Sequence, residues 1–369
     1  NPSMYSVGLD GGGSHTKVVI LDLAKKQLLA KESYPFSTNR YQVGFEKALQ
    51  TMHDCISDLL GKNSISLKQL HHVGLSVSGF NAEDPAVTAF FSKLNYPHLV
   101  ASHDTDGPAV AFLKQYGGNC CVHIAGTGSA QKVFVSQPFS HTDSQPTQHQ
   151  QKLQVKSKLL NAFGDKLYER GCAYSAVHLL INTLLQKFDE DQLEFENLFK
   201  RFTNFQQIPD DYRSGELLDL FYGTNKLKIA SFCREMVQIV STPSSFQLKE
   251  NQNQKEIKNE IKKENEKENL SKYEIELVKQ ILMDEVKELA EQIKLSGRCA
   301  KRLGAVGTLK IIKIGSFWKV LENEEFQKVF QKEIEGQQVE MVECTDDTAA
   351  VGAALEGVDG EGWVLGVFE

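Results

Sequence analysis

The 369-residue sequence lacks several features that would each define a class of protein. No apolar run approaches the roughly 20 residues that span a bilayer, so we expect no membrane-spanning segment. The seven cysteines include no Cys-x-x-Cys pair, which leaves a zinc ribbon or a thioredoxin-type redox site without support. The first residues, Asn1–Tyr5, have no basic stretch leading into an apolar one, so no secretory leader is predicted.

Positive charge is also scarce, with 41 Lys and Arg against 48 Asp and Glu for a net charge of -7. Because nucleic-acid binding draws on clustered Lys and Arg, we expect no nucleic-acid partner. The scattered cysteines favour a reducing, cytoplasmic location, and Cys120-Cys121 lies in an apolar run typical of small core residues.

The order of predicted elements divides the chain into two α/β halves. Short β-rich runs alternate with helical periodicity until Gly117-Gly118 breaks the chain, after which the pattern restarts. We therefore predict an N-terminal domain over residues 1–117 and a C-terminal domain over residues 118–347. The C-terminal helix, placed at residues 348–369, is expected to return to the first domain.

Two polar stretches interrupt the second half and are predicted as insertions. Residues 136–158 are rich in Gln, Ser, Thr and His and indicate an exposed loop. Residues 249–269 are dominated by Lys, Glu, Asn and Gln, which indicates a solvated low-complexity helix. A partner-binding arm is the other interpretation of the second stretch.

The most informative segment is a glycine cluster between two predicted strands. Three consecutive glycines, Gly11, Gly12 and Gly13, allow a hairpin turn with positive φ and bring backbone N–H groups close to an anion. The hydroxyls of Ser14 and Thr16 could add donors. Asp10, at the end of the first strand, could hold Mg²⁺ through water while phosphate oxygens supply the other ligands. Alone, the cluster could equally be a hairpin that needs glycine only for its turn.

A second glycine cluster, Gly126-Thr127-Gly128-Ser129, follows the apolar run Cys120–Ile124 and offers a second phosphate cradle. Neither cluster is a Walker A loop, because the sequence has no G-x-x-x-x-G-K-[ST] motif. Neither is a Rossmann fingerprint, because strands and not helices are predicted to follow both. One strand–glycine loop–strand unit in each half therefore indicates a different nucleotide-binding architecture.

With both loops considered together, the chain resembles the sugar kinase–Hsp70–actin superfamily, and within it the N-acetylglucosamine kinase branch of the BadF/BadG/BcrA/BcrD ATPase family. Asp10–Lys17 resembles the family's phosphate-1 motif, and Gly126–Ser129 resembles its phosphate-2 loop. Further matching segments follow in order: Ser37-Thr38-Asn39, Gly74–Gly79, His103–Gly107, Gly164-Asp165, Ala230–Arg234 and Gly315–Lys319. The resemblance implies an α/β fold of two actin-like, ribonuclease H-like domains with ATP in the cleft between them.

The resemblance also implies roles for individual residues. Asp104 would accept the proton of the sugar hydroxyl, and Asp10 would position Mg²⁺. Gly315 and Ser316 would lie on the adenosine side. The implied sugar contacts are Asn39, Asp104, Ser129 and Asp165. We therefore predict an ATP- and Mg²⁺-dependent kinase that phosphorylates N-acetylglucosamine, or a related amino sugar or hexose, at the 6-hydroxyl.

Judged from the residues alone, three of these positions have a structural alternative. Gly315, taken alone, is more typical of a turn glycine than of a ligand contact. Asp104 could cap the helix that is predicted to begin at Pro108, because Asp favours such positions. Asn39 could be a turn residue.

The sequence departs from the family pattern on the sugar side. Lys158–Asn161 stands where a Gly-Trp-Gly segment is typical, Lys166–Arg170 replaces a tight Glu-Gly-Ser run, and Ala130 occupies the position of an expected sugar-binding Asn. A second interpretation therefore stays open: a degenerate kinase-fold protein that serves as a structural or binding subunit. A homodimer or incorporation into a larger assembly fits either interpretation. A third, the family's ATPase-activator branch, needs cysteines for an iron–sulfur cluster, and the cysteine spacing offers no such site.

Overall fold

A computed structural model describes residues 4–80, 84–136, 155–160, 170–211, 213–223, 226–241, 270–356 and 358. Its strands are β1 (Tyr5–Gly11), β2 (Thr16–Asp22), β3 (Gln27–Tyr34), β4 (Leu70–Val77), β5 (Leu99–Ser102), β6 (Asn119–Ala125), β7 (Ser129–Ser136), β8 (Val155–Leu160), β9 (Leu309–Ile314) and β10 (Val339–Val342).

The helices are α1 (Arg40–Val43), α2 (Phe45–Lys62), α3 (Pro85–Lys93), α4 (Asp106–Tyr116), α5 (Ala173–Asp189), α6 (Glu196–Gln206), α7 (Gly215–Tyr222), α8 (Lys226–Ser231), α9 (Cys233–Ser241), α10 (Lys272–Arg302), α11 (Glu324–Ile334) and α12 (Thr348–Leu355). Short 3₁₀ turns cover Leu67–Gln69, Leu193–Phe195 and Ser316–Glu322. None of these helices is long and apolar enough to cross a membrane.

The strands form two five-stranded sheets with the same internal order. The first sheet runs β3-β2-β1-β4-β5 and the second runs β8-β7-β6-β9-β10. In each sheet a hairpin of two antiparallel strands is joined by a parallel third strand, β4 beside β1 and β9 beside β6. This repeated mixed sheet confirms the predicted α/β class with two similar halves and both predicted glycine hairpins.

Helix packing follows the apolar pattern of the sequence. The helix predicted at residues 45–60 is α2, which buries one face against the first sheet through Leu49, Met52, Ile56 and Leu59. Cys120 and Cys121 are fully buried on β6, which confirms their interpretation as core residues.

The predicted exposed loop over residues 136–158 is wrong at both ends. Ser136 completes β7, and β8 begins at Val155 and pairs antiparallel with β7. The side chains at positions 156–159 are exposed, so this edge strand has no apolar alternation for a sequence pattern to detect. Residues 137–154 and 249–269 lie outside the described residues.

Helix α12 lies directly on the first sheet. A Cβ placed at Gly8 would overlap the carbonyl oxygen of Ala350, and one placed at Gly74 would overlap that of Ala353. The absence of side chains at these glycines lets the helix backbone touch the sheet. The predicted C-terminal helix ends at Leu355 in the described chain, and residues 359–369 lie outside it. The division of the chain at residue 117 stays a prediction.

Candidate functional site

A cleft opens where the hairpin ends of the two sheets face each other. It comprises a large cavity of ≈ 950 Å³ and a small cavity of ≈ 540 Å³. The two cavities form one continuous cleft, because they share lining residues from both sheets: Asp10, Ser14, Lys17, Gly126, Thr127 and Gly315.

The first glycine loop joins β1 to β2 and closes on itself, with the Gly12 amide donating to the His15 carbonyl at 3.2 Å. None of its three glycines adopts the positive φ that consecutive glycines allow. Close contacts require glycine at Gly11 and favour it less strictly at Gly13, while a Cβ at Gly12 would make only an ordinary contact of 3.6 Å. A Cβ at Gly11 would overlap the Thr38 hydroxyl, and one at Gly13 would lie 2.8 Å from Nε2 of Gln42.

Thr16 does not contribute to the cleft. It is fully buried, and its hydroxyl donates to the Phe36 carbonyl at 2.8 Å and lies 3.2 Å from the Thr38 hydroxyl. The prediction that Thr16 donates to a bound phosphate is therefore corrected, since this side chain ties the hairpin to the segment that follows β3. The neighbouring Ser14 lines both cavities.

The second glycine loop joins β6 to β7 and is fixed from behind by α5. Gly126 N–H donates to the Gly128 carbonyl at 2.9 Å. The first two amides of α5 donate back to the loop, Ala173 to the Gly126 carbonyl at 2.9 Å and Tyr174 to the Thr127 carbonyl at 3.1 Å. Gly126, Thr127, Gly128 and Ser129 all line the small cavity.

Gly315, the residue after β9, packs closely against this second loop. Its φ of 99° is a conformation that favours glycine, and a Cβ there would lie 2.5 Å from the Ala125 carbonyl oxygen. Gly315 lines both cavities, and Ser316, the first residue of the following 3₁₀ turn, lines the large one. The structure thus brings the residues predicted for the adenosine side next to the second loop.

Asp10 lies at the floor of the cleft and lines both cavities. Its burial raises its pKa to about 7, which Lys17 opposes and the nearby Asp104 carboxylate reinforces. Among the residues that the structure describes, no group of three or more His, Cys, Asp or Glu side chains is arranged to hold a metal ion. Asp10 is therefore not part of such a group among the described residues.

Asp104 follows β5 and points into the small cavity, with its side chain 16% exposed. It does not cap α4, since that helix begins at Asp106 after Thr105. The Nδ1 atom of His103 lies 2.7 Å from Oδ1 of Asp104. That oxygen is buried, and His103 is therefore the side chain that most directly affects the charge of Asp104.

An ion pair between Asp106 and Lys132 connects the residues next to Asp104 to the second sheet. Asp106 accepts the backbone N–H of His103 at 3.0 Å through one oxygen and the ammonium of Lys132, on β7, at 2.5 Å through the other. The residues around Asp104 are thus held by contacts to both sheets.

The three remaining predicted sugar contacts differ in outcome. Asn39 lines the small cavity and also caps α1, accepting the Tyr41 amide at 3.0 Å, so its structural alternative holds as well. Ser129 lines the same cavity, and its hydroxyl donates to the Arg170 carbonyl at 2.8 Å. Asp165 lies outside the described residues.

Two lysines of the small cavity, Lys17 and Lys226, have no role predicted from the sequence. Lys17 stands directly opposite Asp10 in the β1–β2 register, and its ammonium donates to the Asp346 carbonyl at 2.9 Å. Paired positions share a face of a sheet, so the hairpin could have located Lys17. Lys226 enters the small cavity from α8, and no local pattern marks it.

Comparison with solved structures shows which fold the chain has. The chain is similar to a presumed N-acetylglucosamine kinase from Porphyromonas gingivalis (TM-score 0.60, 13% identity, 96% of this chain and 99% of that one). It is similar to a second one from Chromobacterium violaceum (TM-score 0.58, 12% identity, 96% and 99%). A glucose-bound hexokinase from Schistosoma mansoni is also similar (TM-score 0.52, 11% identity, 96% and 86%). The chain therefore has the fold of the actin-like sugar kinases.

The sequence adds a family match within that class. Residues 7–133 match the model of the BadF/BadG/BcrA/BcrD ATPase family. This stretch contains both glycine loops and Asp104, so the resemblance inferred from those motifs is confirmed. A comparison with curated protein sequences gives no match.

Proposed function

We propose that this protein is an ATP-dependent sugar kinase that phosphorylates N-acetylglucosamine, or a related amino sugar or hexose, at the 6-hydroxyl. One observation carries the proposal: both glycine loops, Asp10 and Asp104 line the same small cavity. Phosphoryl transfer needs positioning and charge neutralisation more than covalent chemistry, so this small set of groups is sufficient.

In this mechanism the triphosphate lies between the two glycine loops, with the adenosine in the large cavity. Apolar side chains of Leu321, Phe330 and Met341 line that cavity and suit a purine base. Asp104 accepts the proton of the sugar hydroxyl while the oxygen of that hydroxyl forms a bond to the γ-phosphorus. The bond from that phosphorus to the bridging oxygen breaks, and ADP leaves.

Asp10 would hold Mg²⁺ through water, with the remaining ligands from phosphate oxygens. The residues fit such an ion, because a half-buried carboxylate with a raised pKa is stabilised as an anion by a divalent cation. When bound, Mg²⁺ neutralises charge on the phosphates.

The sugar contacts follow from hydrogen bonds already made. Because Ser129 donates its hydroxyl hydrogen to Arg170, it would accept a hydrogen bond from a sugar hydroxyl. Asn39 keeps its amide group near the Ser78 hydroxyl, at 3.4 Å, on the opposite wall. Asp165 stays a prediction as a further sugar contact.

The location and the assembly of the protein are the last two parts of the proposal. All seven cysteines are free, as in proteins of a reducing compartment, and we propose the cytoplasm on that ground. A homodimer or a larger assembly stays a prediction.

A coupled assay tests the proposed function. Wild-type protein with ATP and Mg²⁺ is given N-acetylglucosamine and a panel of amino sugars and hexoses, and ADP release is followed. Release that depends on one of these sugars supports the proposal. Release that is absent with every sugar, from protein that still binds ATP, would favour the degenerate binding protein.

Replacement of Gly315 by Ala should weaken ATP binding by about tenfold, the cost of about one lost hydrogen bond to phosphate. The new Cβ would push the second glycine loop at Ala125 and Gly126. Gly307→Ala is the matched control, because Gly307 also has a positive φ, of 83°, but no atom within 4 Å of its Cβ position. Calorimetry with ATP should separate the two variants. Equal affinities would contradict the role given to Gly315.

The turnover rate should rise with pH through the pKa of His103. Burial disfavours the charged imidazole, but Asp104 outweighs burial and raises the pKa of His103, with Asp106 adding to this and Lys132 opposing it. Below that pKa the imidazolium pairs with Asp104 and makes the carboxylate a poorer proton acceptor; above it the pairing is lost.

His103→Asn should therefore lose this acid limb and keep a flatter profile of kcat against pH. The exposed His98 supplies the control variant His98→Asn, whose profile should match wild type. A His103→Asn profile identical to wild type would show that another group sets the limb.

A further inference from the structure

Lys226 is the feature of the cleft that the proposed function leaves unexplained. It is the first residue of α8, its side chain is half-buried, and it lines the small cavity together with the second glycine loop and Asp104. A lysine that lines the same cavity as a phosphate-binding loop and a candidate catalytic base can act on charge that develops during phosphoryl transfer.

The ammonium of Lys226 is positioned by an aromatic ring tied to that loop. Its Nζ atom lies 5.4 Å from the ring centroid of Tyr174. The backbone N–H of Tyr174 donates to the Thr127 carbonyl at 3.1 Å. Tyr174 thus fixes the loop with its backbone and orients the lysine with its side chain.

The side chains of the small cavity carry more negative than positive charge, so a bound phosphate needs Lys226 as a cation. Three carboxylates line it, those of Asp10, Asp104 and Asp346, against the ammonium groups of Lys17 and Lys226. Lys17 already donates to the Asp346 carbonyl and offsets the charge of Asp10. A triphosphate adds further negative charge, so a second cation beside the second loop would oppose repulsion from Asp104.

We propose that Lys226 binds a terminal phosphate oxygen of ATP and stabilises the transferred phosphoryl group in the transition state. This inference rests on the proposed kinase function, since it assigns a residue to the same reaction. Lys226 gives up no proton in this role. It supplies a fixed positive charge to oxygens that stay on phosphorus, while Asp104 takes the proton of the sugar.

Three variants test the assignment. Lys226→Met removes the charge and keeps much of the length, and Lys226→Arg keeps the charge. Lys228→Met is the matched control, because Lys228 lies on the same short helix with an exposed side chain. Melting temperatures are measured for all three, so that only folded variants are compared.

The kinetic arm predicts a loss of about 100-fold in kcat for Lys226→Met, the size expected when one donor to the transition state is removed. Lys226→Arg should recover part of the rate, and Lys228→Met should equal wild type. Turnover by Lys226→Met equal to wild type would overturn the proposal.

The binding arm separates this inference from the proposed function. Calorimetry compares a non-hydrolysable ATP analogue with ADP. Lys226→Met should weaken the analogue about tenfold and leave ADP affinity unchanged, because ADP lacks the terminal phosphate. Equal weakening of both nucleotides would indicate a structural role and overturn the assignment. A different outcome would overturn the kinase function alone: wild type turns over no sugar, but Lys226→Met still binds the ATP analogue more weakly than wild type and ADP equally well.

Discussion

Asp104→Asn is expected to lower sugar-dependent ADP release by about a thousandfold, within the range for loss of a general base. The amide keeps the shape of the side chain but cannot accept the proton of the sugar hydroxyl. Asp104 lines the small cavity together with both glycine loops, which is where a base for the sugar hydroxyl is needed. Initial rates with the best sugar of the panel measure the loss.

Two comparisons make this result specific. ATP affinity should be unchanged or slightly higher in Asp104→Asn, because the variant removes a negative charge from the phosphate site. Asp54→Asn, on the exposed face of α2, should have the rate of wild type. A rate for Asp104→Asn within a few-fold of wild type would refute Asp104 as the base.

Gly74→Ala is expected to destabilise the fold by about 3 kcal/mol, the upper part of the usual range for overpacking. The added methyl group would overlap the carbonyl of Ala353 in α12 and push that helix from the first sheet. A Cβ at Gly352 would in turn overlap Gly107 in α4, so the two helices also touch through their backbones. Chemical denaturation measures the change in the free energy of unfolding.

Gly61→Ala provides the opposite expectation from the same substitution. Gly61 lies in the last turn of α2 with no atom within 4 Å of its Cβ position, so Ala should raise the free energy of unfolding by about 0.5 kcal/mol. If Gly74→Ala were as stable as wild type, the backbone contact between α12 and the sheet would not exist as described.

The parts of the site that follow one hairpin could be predicted from the sequence. A strand that is followed by glycines and a second strand folds most simply as a hairpin. The sequence therefore predicted both glycine loops as hairpin turns and Asp10 at the end of the first strand. The face of the strand on which each side chain lies was harder to predict. Thr16 differs from Lys17 by one position along β2, and that step turns its side chain away from the cleft.

Features that depend on distant contacts could not be predicted. Lys226 reaches the cleft because α8 packs beside α5, and neither helix carries a motif for it. Gly11 is required by its close contact with Thr38, which no local pattern connects to it. Strand β8 is stabilised by backbone hydrogen bonds to one neighbour, and such bonds leave no signature in side-chain polarity.

Direct detection of the phosphorylated sugar tests the central claim. Wild-type protein is incubated with ATP, Mg²⁺ and N-acetylglucosamine or another sugar of the panel, and the products are followed by phosphorus NMR. The account predicts a sugar 6-phosphate signal that grows as that of ATP declines, and no such growth with Asp104→Asn. A wild type that binds ATP yet forms no sugar phosphate with any member of the panel would contradict it.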